Sequence, residues 1–153
     1  MFAMLLLLLL VSIGRVAVKG FNLGTSFRNT RAFSVVMEDE TIQTWGWSSH
    51  GGTSQPKGVS NVKTIFSTYK AFCALHNDKT VTVWGDKTCG GDDTKAKKLS
   101  NVAAIYTAKC AFAAVLENGD VVSWGTLEDN KVITEPPGLS NVVQVWGNEG
   151  AFA

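Results

Sequence analysis

Apolar residues are gathered along most of this chain into short runs that polar turn residues separate. In the clearest stretch, the run 102–107 is followed by the nearly continuous apolar run 111–116 and then by the alternating segment 120–124. Runs of this length between turn residues predict β-strands, and a continuous apolar run indicates a strand buried on both faces. The same pattern recurs at 62–67, 71–75 and 80–84.

Three short motifs accompany these strands at a nearly constant spacing. Ala-Phe pairs recur at steps of 39, 40 and 40 residues from Phe33 to Phe152, and Trp-Gly and Ser-Asn-Val motifs keep the same step. Self-similarity at about 40 residues is typical of propellers and solenoids, in which each unit buries its faces against its neighbours. We therefore divide the chain after residue 21 into three repeat units and a partial fourth, 22–60, 61–100, 101–140 and 141–153.

The repeated aromatic and glycine residues are interpreted as structural anchors. A large aromatic side chain buries about 150–250 Å², and here one recurs on the same face of the third strand in every unit. The glycine that follows it allows a sharp bend or a close approach of two backbones. The anchors assigned in this way are Phe33, Trp45, Gly46, Phe72, Trp84, Gly85, Phe112, Trp124 and Gly125.

Two local expectations follow from the alignment of the units. The dipeptide Asn118-Gly119 between the second and third strands predicts a type I′ hairpin turn, because both residue types tolerate a positive φ. The segment 22–27 aligns without gaps with 61–66, which predicts a first strand in the first unit as well.

The loops between each Trp-Gly pair and the next Ser-Asn-Val are the least similar parts of the units. They contain 13 or 14 residues, and loops of that length are uncommon unless they are functional or contain another short element. We therefore place the candidate binding residues in them. These are Trp47, His50, Lys87, Asp92, Asp93, Glu128 and Asp129.

Composition and charge indicate a globular protein, and the sequence contains no catalytic, metal-binding or nucleotide-binding motif. The chain is 45% hydrophobic and 18% charged, with a net charge of +1, so it lacks the basic character of a nucleic-acid-binding domain. His50 follows two serines, but without a third orienting group this is not a catalytic arrangement, and we expect a solvated loop histidine. No metal-ligand spacing, phosphate-binding loop or dinucleotide motif is present. We therefore predict a protein that is not an enzyme and has no cofactor or metal.

The three cysteines are Cys73, Cys89 and Cys110. Their odd number, and the absence of a Cys-x-x-Cys pair, favour buried and inert thiols over a disulfide or a metal site. Cys73 occupies the repeat position of Ala113, which predicts a small core residue.

The first 21 residues differ from the rest of the chain. The apolar run 2–13 is too short for a membrane span, which needs about 20 residues, so no firm span is predicted. Its length suits a signal peptide, although the basic residues Arg15 and Lys19 follow it instead of preceding it. The alternative is a mispredicted start or a degenerate piece of a repeat. A true start at Met1 would favour the secretory pathway, and otherwise the protein would be cytoplasmic or nuclear.

The motif string Asn-Val-x-x-Ile-(Tyr/Phe), Ala-Phe-x-Ala-Leu and Asp-Val-Val-x-Trp-Gly resembles the repeats of the regulator of chromosome condensation family. It is similar in particular to the shorter-repeat branch that includes the propeller-type β-lactamase inhibitor protein. The resemblance covers residues 22–153 and is most specific at 111–125. It implies an all-β fold, a partial β-propeller built of antiparallel strands, three or more to each unit.

Functionally, the resemblance implies a protein-interaction or scaffold module whose partner is an unidentified protein. The alternative implied by the family's founding member is guanine-nucleotide exchange on a small GTPase. Three units and a partial fourth are fewer than the roughly four blades of the smallest closed propellers. We therefore expect either a fragment of a longer repeat protein or self-association through open blade faces.

Overall fold

Successive repeat units form separate antiparallel sheets in the computed structural model, which describes residues 26–127 and 131–153. The strand order is β1-β2 in the first unit, β3-β4-β5 in the second and β6-β7-β8 in the third. The strands are β1 (Ala32–Val36), β2 (Ile42–Gly46), β3 (Val62–Ser67), β4 (Ala71–His76), β5 (Val81–Gly85), β6 (Val102–Thr107), β7 (Ala111–Leu116) and β8 (Val121–Gly125). The predicted all-β class is confirmed.

The second and third sheets repeat each other in register as well as in order. Phe72 is opposite Trp84 across β4 and β5, and Phe112 is opposite Trp124 across β7 and β8. Both sheets also carry a register shift near the start of the first strand. Every residue of β4 is buried, as is nearly all of β7, which agrees with the continuous apolar runs. Strands of this kind have their side chains covered on both faces, and here the neighbouring units cover them.

The hydrophobic core lies between successive sheets. One cluster joins Ile42 of the first unit to Val62 and Phe72 of the second. Another joins Leu75 of the second unit to Ile105 and Phe112 of the third, so each unit depends on the next one for burial of its apolar faces.

The first and fourth units are less regular than the sequence predicts. Of the aligned first strand 22–27, only Ser26 and Phe27 are described, and they are not in a strand; Phe27 N–H instead donates to Thr107 Oγ1 at 2.5 Å. The sheet β1-β2 therefore has two strands. In the fourth unit, Gly147 pairs with Phe152 in an isolated bridge, the register that Thr107 and Phe112 show in the third unit.

The predicted type I′ turn is wrong. Gly119 has a φ of 82°, but Asn118 is not among the residues with a positive φ. The N–H of Gly119 donates to Leu116 O at 2.9 Å, and the N–H of Leu116 donates to Asp120 O at 2.8 Å. This is a three-residue hairpin loop with a left-handed residue at its end, the second common way to connect two strands. Lys79 and Glu40 occupy the same left-handed position in the other units.

Short helical turns occupy the first two of the long loops. A 3-10 helix spans Ser48–His50, an irregular helical turn spans Lys87–Gly91, and the short helix α1 spans Asp93–Ala96. The turn Lys87–Gly91 contacts strands of its own sheet and of the following one, Ser48–His50 contacts β5 of the following sheet, and α1 contacts β5 of its own sheet.

The inert-thiol prediction is wrong for two of the three cysteines. Cys89, in the loop after β5, and Cys110, just before β7, form a disulfide that joins the second unit to the third. The two residues meet because the loop after β5 packs on the next unit, a contact that sequence spacing does not reveal. Cys73 is a free and buried thiol, as predicted, and burial raises its pKa.

Candidate interaction surface

The phenylalanine and tryptophan of each unit stack on each other across neighbouring strands. Ring centroids are 5.4 Å apart for Phe72 and Trp84 and 5.4 Å apart for Phe112 and Trp124. All four side chains are buried, with Trp84 2% and Trp124 4% exposed. Because both members of each pair are at registered positions, the stacking follows directly from the sheet pairing.

A glycine turn of the preceding unit covers each buried pair. Gly51 lies over Phe72 and Trp84, and Gly90 lies over Phe112 and Trp124; both glycines have a positive φ, of 90° and 95°. A Cβ on Gly51 would lie 2.9 Å from a ring carbon of Phe72, and one on Gly90 would lie 2.5 Å from Phe112. Only glycine permits both this approach and this backbone conformation.

The Phe33–Trp45 pair has the same internal geometry but a different environment. Its ring centroids are 5.6 Å apart and the ring planes meet at 17°. Phe33 is 63% exposed and Trp45 is 49% exposed. These two residues were predicted to be packing anchors, and instead their side chains are largely exposed. The reason is that no glycine turn covers them among residues 26–127 and 131–153.

A second exposed aromatic group lies where β2 ends. The Arg31 guanidinium is 4.0 Å from the ring centroid of Trp47, which is 56% exposed. Trp47 meets His50 edge to face, with centroids 6.0 Å apart, and His50 lies 6.1 Å from Tyr69 of the second unit. The Lys70 ammonium is 5.9 Å from the Tyr69 ring. We call these residues, Arg31, Trp47, His50, Tyr69 and Lys70, the Trp47 surface.

Backbone hydrogen bonds between units hold this surface in place. The N–H of Thr30 donates to Tyr69 O at 3.4 Å, and the N–H of Tyr69 donates to Lys109 O at 2.7 Å. Within the first unit, the N–H of Trp47 donates to Arg31 O at 2.9 Å. Tyr69 is therefore positioned by both the first and the third unit, which brings it beside the loop that carries His50.

His50 is buried, contrary to the prediction of a solvated loop histidine. It is 6% exposed, its Nδ1 lies 3.0 Å from Ser49 Oγ, and its carbonyl accepts a 3.0 Å hydrogen bond from Asn29 Nδ2. Burial, reinforced by the charges of Lys70 and Arg31, lowers the pKa of His50. The ring is thus held in its neutral form at physiological pH.

Two of the three candidate residues of the second loop, Asp92 and Asp93, serve local structure. Asp92 Oδ1 accepts a hydrogen bond of 2.8 Å from the N–H of Thr94 and caps α1, while Asp93 pairs with Lys97 at 3.9 Å. The Thr94 hydroxyl lowers the pKa of Asp92, and the charge of Lys87 adds to this effect. Lys87 is exposed. Glu128 and Asp129, the candidates in the third loop, lie outside the described residues.

Sequence reasoning found two members of the Trp47 surface and missed the other three. Arg31, Tyr69 and Lys70 immediately precede the Ala-Phe motifs of the first two units. The available signal is variation beside a repeated motif: Arg31, Lys70 and Cys110 occupy one repeat position, directly before an alanine that does not change. The side chains at this position make different contacts in each unit: Arg31 lies against Trp47, Lys70 lies near Tyr69, and Cys110 forms the disulfide.

Other kinds of site receive no support from the described residues. Within residues 26–127 and 131–153, no group of three or more His, Cys, Asp or Glu side chains is arranged to hold a metal ion. A search of the same residues for a helix of sufficient length and apolarity to cross a membrane finds none.

Comparison with known proteins gives structural matches only. No protein-family model matches the chain, and no curated protein does. The chain is similar to the entire ectodomain of the receptor kinase CR4 of Physcomitrella patens, with 20% identity, a TM-score of 0.56 and coverage of 82% of this chain and 34% of that one. It is also similar to the CRINKLY WD40 ectodomain of the Arabidopsis thaliana receptor kinase ACR4, with 14% identity, a TM-score of 0.56 and coverage of 80% of this chain and 43% of that one. For human WBSCR16 the identity is 16%, the TM-score is 0.53, and the match covers 86% of this chain and 43% of that one.

These likenesses concern the fold. WD40 domains are propellers, in which small antiparallel sheets are repeated around a central axis. The sheets described here match that arrangement over most of the chain. The chain itself spans between a third and a half of the length of the three similar structures.

Proposed function

We propose that this chain is a non-catalytic protein-interaction module, a part of a β-propeller composed of three repeat units and a partial fourth. The observation that carries the proposal is the Trp47 surface, an exposed tryptophan under an arginine beside a buried histidine and a tyrosine. Trp, Tyr and Arg are the residue types that contribute most binding energy at protein interfaces. The repeat motifs support membership in the regulator of chromosome condensation family.

The chemistry of the surface favours a partner that combines an apolar side chain with a carboxylate. Trp47 is 56% exposed beside Arg31 and can contact an apolar side chain, while Arg31 itself can pair with a carboxylate in a bidentate manner. Lys70, whose ammonium is 5.9 Å from the Tyr69 ring, adds a second cation. His50 does not change this charge near neutral pH, because its lowered pKa keeps it uncharged.

The test is isolation of partners from an extract of the source cells with the full chain, in parallel with Trp47→Ala and Lys63→Ala. Lys63 is exposed on β3, at the end of the strand away from the Trp47 surface. We expect a partner that Trp47→Ala loses and Lys63→Ala retains, and whose purified form binds the full chain at least tenfold more weakly after Trp47→Ala, a loss of about 1.4 kcal/mol. A partner bound equally by all three proteins would contradict the proposal.

The alternative of nucleotide exchange is tested with the same proteins. We expect no acceleration of labelled-nucleotide release from a small GTPase. Acceleration that Trp47→Ala abolishes would replace the interaction-module proposal by a regulatory one.

We further propose that the protein matures in an oxidising compartment. Disulfides persist in secreted and extracellular proteins and are rare in the cytosol, and Cys89–Cys110 is a disulfide between two repeat units. Two of the three similar structures are ectodomains of receptor kinases. Rapid alkylation of cells followed by mass spectrometry should show Cys89 and Cys110 protected and Cys73 reactive only after unfolding. Alkylation of all three after unfolding, without a reductant, would contradict this localisation.

A further inference from the structure

The exposed Phe33–Trp45 pair is the first of three equivalent pairs, and the other two show which structure covers a pair of this kind. Each covered pair is contacted by a left-handed glycine, Gly51 or Gly90, which a second glycine follows. The indole N–H of Trp124 also donates to the carbonyl of Gly90 at 3.0 Å. The stacked rings of Phe33 and Trp45 repeat the geometry of the covered pairs, with centroids 5.6 Å apart against 5.4 Å.

We propose that Phe33 and Trp45 form a docking site for a Gly-Gly turn of another propeller unit. The ring faces provide a flat apolar surface, and a glycine turn, which has no Cβ, can approach that surface closely enough to exclude water from both rings. The inference rests on the proposed function, since it takes the chain to be a propeller module, and it names the kind of protein segment that binds at this face.

Both glycines of the covering turn are needed for its close contacts, which limits the segments that can bind to Phe33 and Trp45. In both covering turns, the second glycine packs against the glycine of the Trp-Gly motif in the same unit. A Cβ on Gly52 would lie 2.4 Å from Gly46, and one on Gly91 would lie 2.6 Å from Gly85. A single left-handed glycine followed by a larger residue, such as Gly58 before Val59, cannot form this double contact.

A second copy of this chain is therefore not the occupant. The sequence contains two Gly-Gly pairs, Gly51-Gly52 and Gly90-Gly91. Both are already seated on ring pairs of the following unit. The docking turn must come from a repeat unit other than those of residues 26–127 and 131–153.

The experiment supplies such a turn in the full chain. A second copy of residues 61–100 is inserted between Phe21 and Asn22, so that it precedes the first unit as it precedes the third in the natural order. Hydroxyl-radical footprinting with mass spectrometry then measures oxidation of Phe33 and Trp45. We expect oxidation of Trp45 to fall about tenfold, as its exposed fraction falls from 49% toward the 2–4% of Trp84 and Trp124.

Two variants of the inserted copy separate a fitted turn from a general apolar cover. Gly90→Val in the copy places a side chain against the rings, and we expect it to restore oxidation of Trp45. Lys98→Ala in the copy changes an exposed residue of the same loop, and we expect it to leave the protection intact. Oxidation of Trp124, which is buried, reports whether each protein is folded. An insertion of residues 22–60, which contain Gly51-Gly52, serves as a second version of the experiment if the first does not fold.

Unchanged oxidation of Phe33 and Trp45 in a folded insertion protein would overturn the inference. So would equal protection by the Gly90→Val copy, which would show a nonspecific cover. Protection of the unmodified chain as its concentration rises would show self-association instead of a Gly-Gly turn. The proposed function fails separately, through a partner that is indifferent to Trp47→Ala, so the two outcomes are distinguishable.

Discussion

The indole N–H of Trp124 donates a hydrogen bond of 3.0 Å to the carbonyl oxygen of Gly90, which belongs to the preceding repeat unit. This bond joins the stacked ring pair of one sheet to the glycine turn that covers it. In the second unit the equivalent nitrogen, Nε1 of Trp84, is buried without a hydrogen-bond partner among the described residues. The two junctions therefore share the stacked ring pair and the covering glycine turn but differ in this hydrogen bond, and the junction of the second and third units also contains the Cys89–Cys110 disulfide.

The hydrogen bond of Trp124 predicts that replacing the two tryptophans by phenylalanine lowers stability by unequal amounts. Trp124→Phe removes the donor to Gly90 and leaves its carbonyl buried, whereas Trp84→Phe removes a donor that has no partner. Both changes remove a similar volume, so we expect Trp124→Phe to lower the free energy of unfolding by about 1–2 kcal/mol more than Trp84→Phe. Urea denaturation of the two variants measures the difference, and equal losses would show that the bond contributes little.

Truncation to alanine should separate buried from exposed tryptophans. Trp124 is 4% exposed and Trp45 is 49% exposed. We expect Trp124→Ala to cost about 3–5 kcal/mol, the usual effect of deleting a large buried aromatic side chain, and Trp45→Ala to cost less than half of that. Thermal and urea unfolding provide the measurement. A loss below about 1 kcal/mol for Trp124→Ala would contradict its role as an anchor.

The disulfide should stabilise the junction of the second and third units. Cys89 and Cys110 are separated by 21 residues, and closing a loop of that length in the unfolded chain contributes about 3 kcal/mol. We expect a reductant to lower the free energy of unfolding of the natural chain by about this amount. The double variant Cys89→Ser, Cys110→Ser should show the lower stability without a reductant and no response to it. Three free thiols in the unfolded, unreduced chain would disprove the bond.

His50 should make stability depend on pH above the range in which carboxylates titrate. Burial lowers its pKa in the folded protein from the ordinary value of 6.5, so the unfolded chain binds the proton more tightly. Stability is therefore present above pH 6.5 and is lost as the pH falls from there toward the folded-state pKa. We expect urea midpoints to decrease between about pH 7.5 and pH 5.5. His50→Gln should reduce this dependence, and an unchanged slope would assign it to other groups.

The left-handed position of the hairpin turn should prefer glycine. Lys79 has a φ of 66°, where glycine stands in the third unit, and its side chain pairs with Glu117. Lys79→Gly and Lys79→Ala both remove that ion pair, so their difference isolates the backbone. We expect the glycine variant to be more stable than the alanine variant by about 1 kcal/mol. At Lys63, in β3 and without a positive φ, the order should reverse. Equal stabilities at Lys79 would show that the turn relaxes.

Several features of the fold were predictable because they depend on local pattern. The strand bounds of β3, β6 and β7 follow from apolar runs between turn residues. The pairing of Phe112 with Trp124 does not follow from the predicted two-residue turn, which would place Phe112 opposite Gly125; the three-residue loop sets it. The turn type was not predictable from Asn118-Gly119, since the same dipeptide fits two hairpin loops that differ by one residue. The candidate surface was found in part, through Trp47 and His50, because unlike loops stand out against a repeat.

The sequence by itself determined the repeat unit of this protein: its length, its antiparallel class and, in the second and third units, its three strands and the residues that they bury. Only the tertiary structure decided the relations between units, namely the seating of Gly90 on Phe112, the disulfide between Cys89 and Cys110, and the exposure of Phe33 and Trp45. The physical reason is range. Periodicity encodes contacts within a sheet, which lie a few residues from a turn, whereas a contact between sheets depends on how the loop after one strand folds onto the next unit. That folding also brings Arg31 and Trp47 to the same edge as Tyr69.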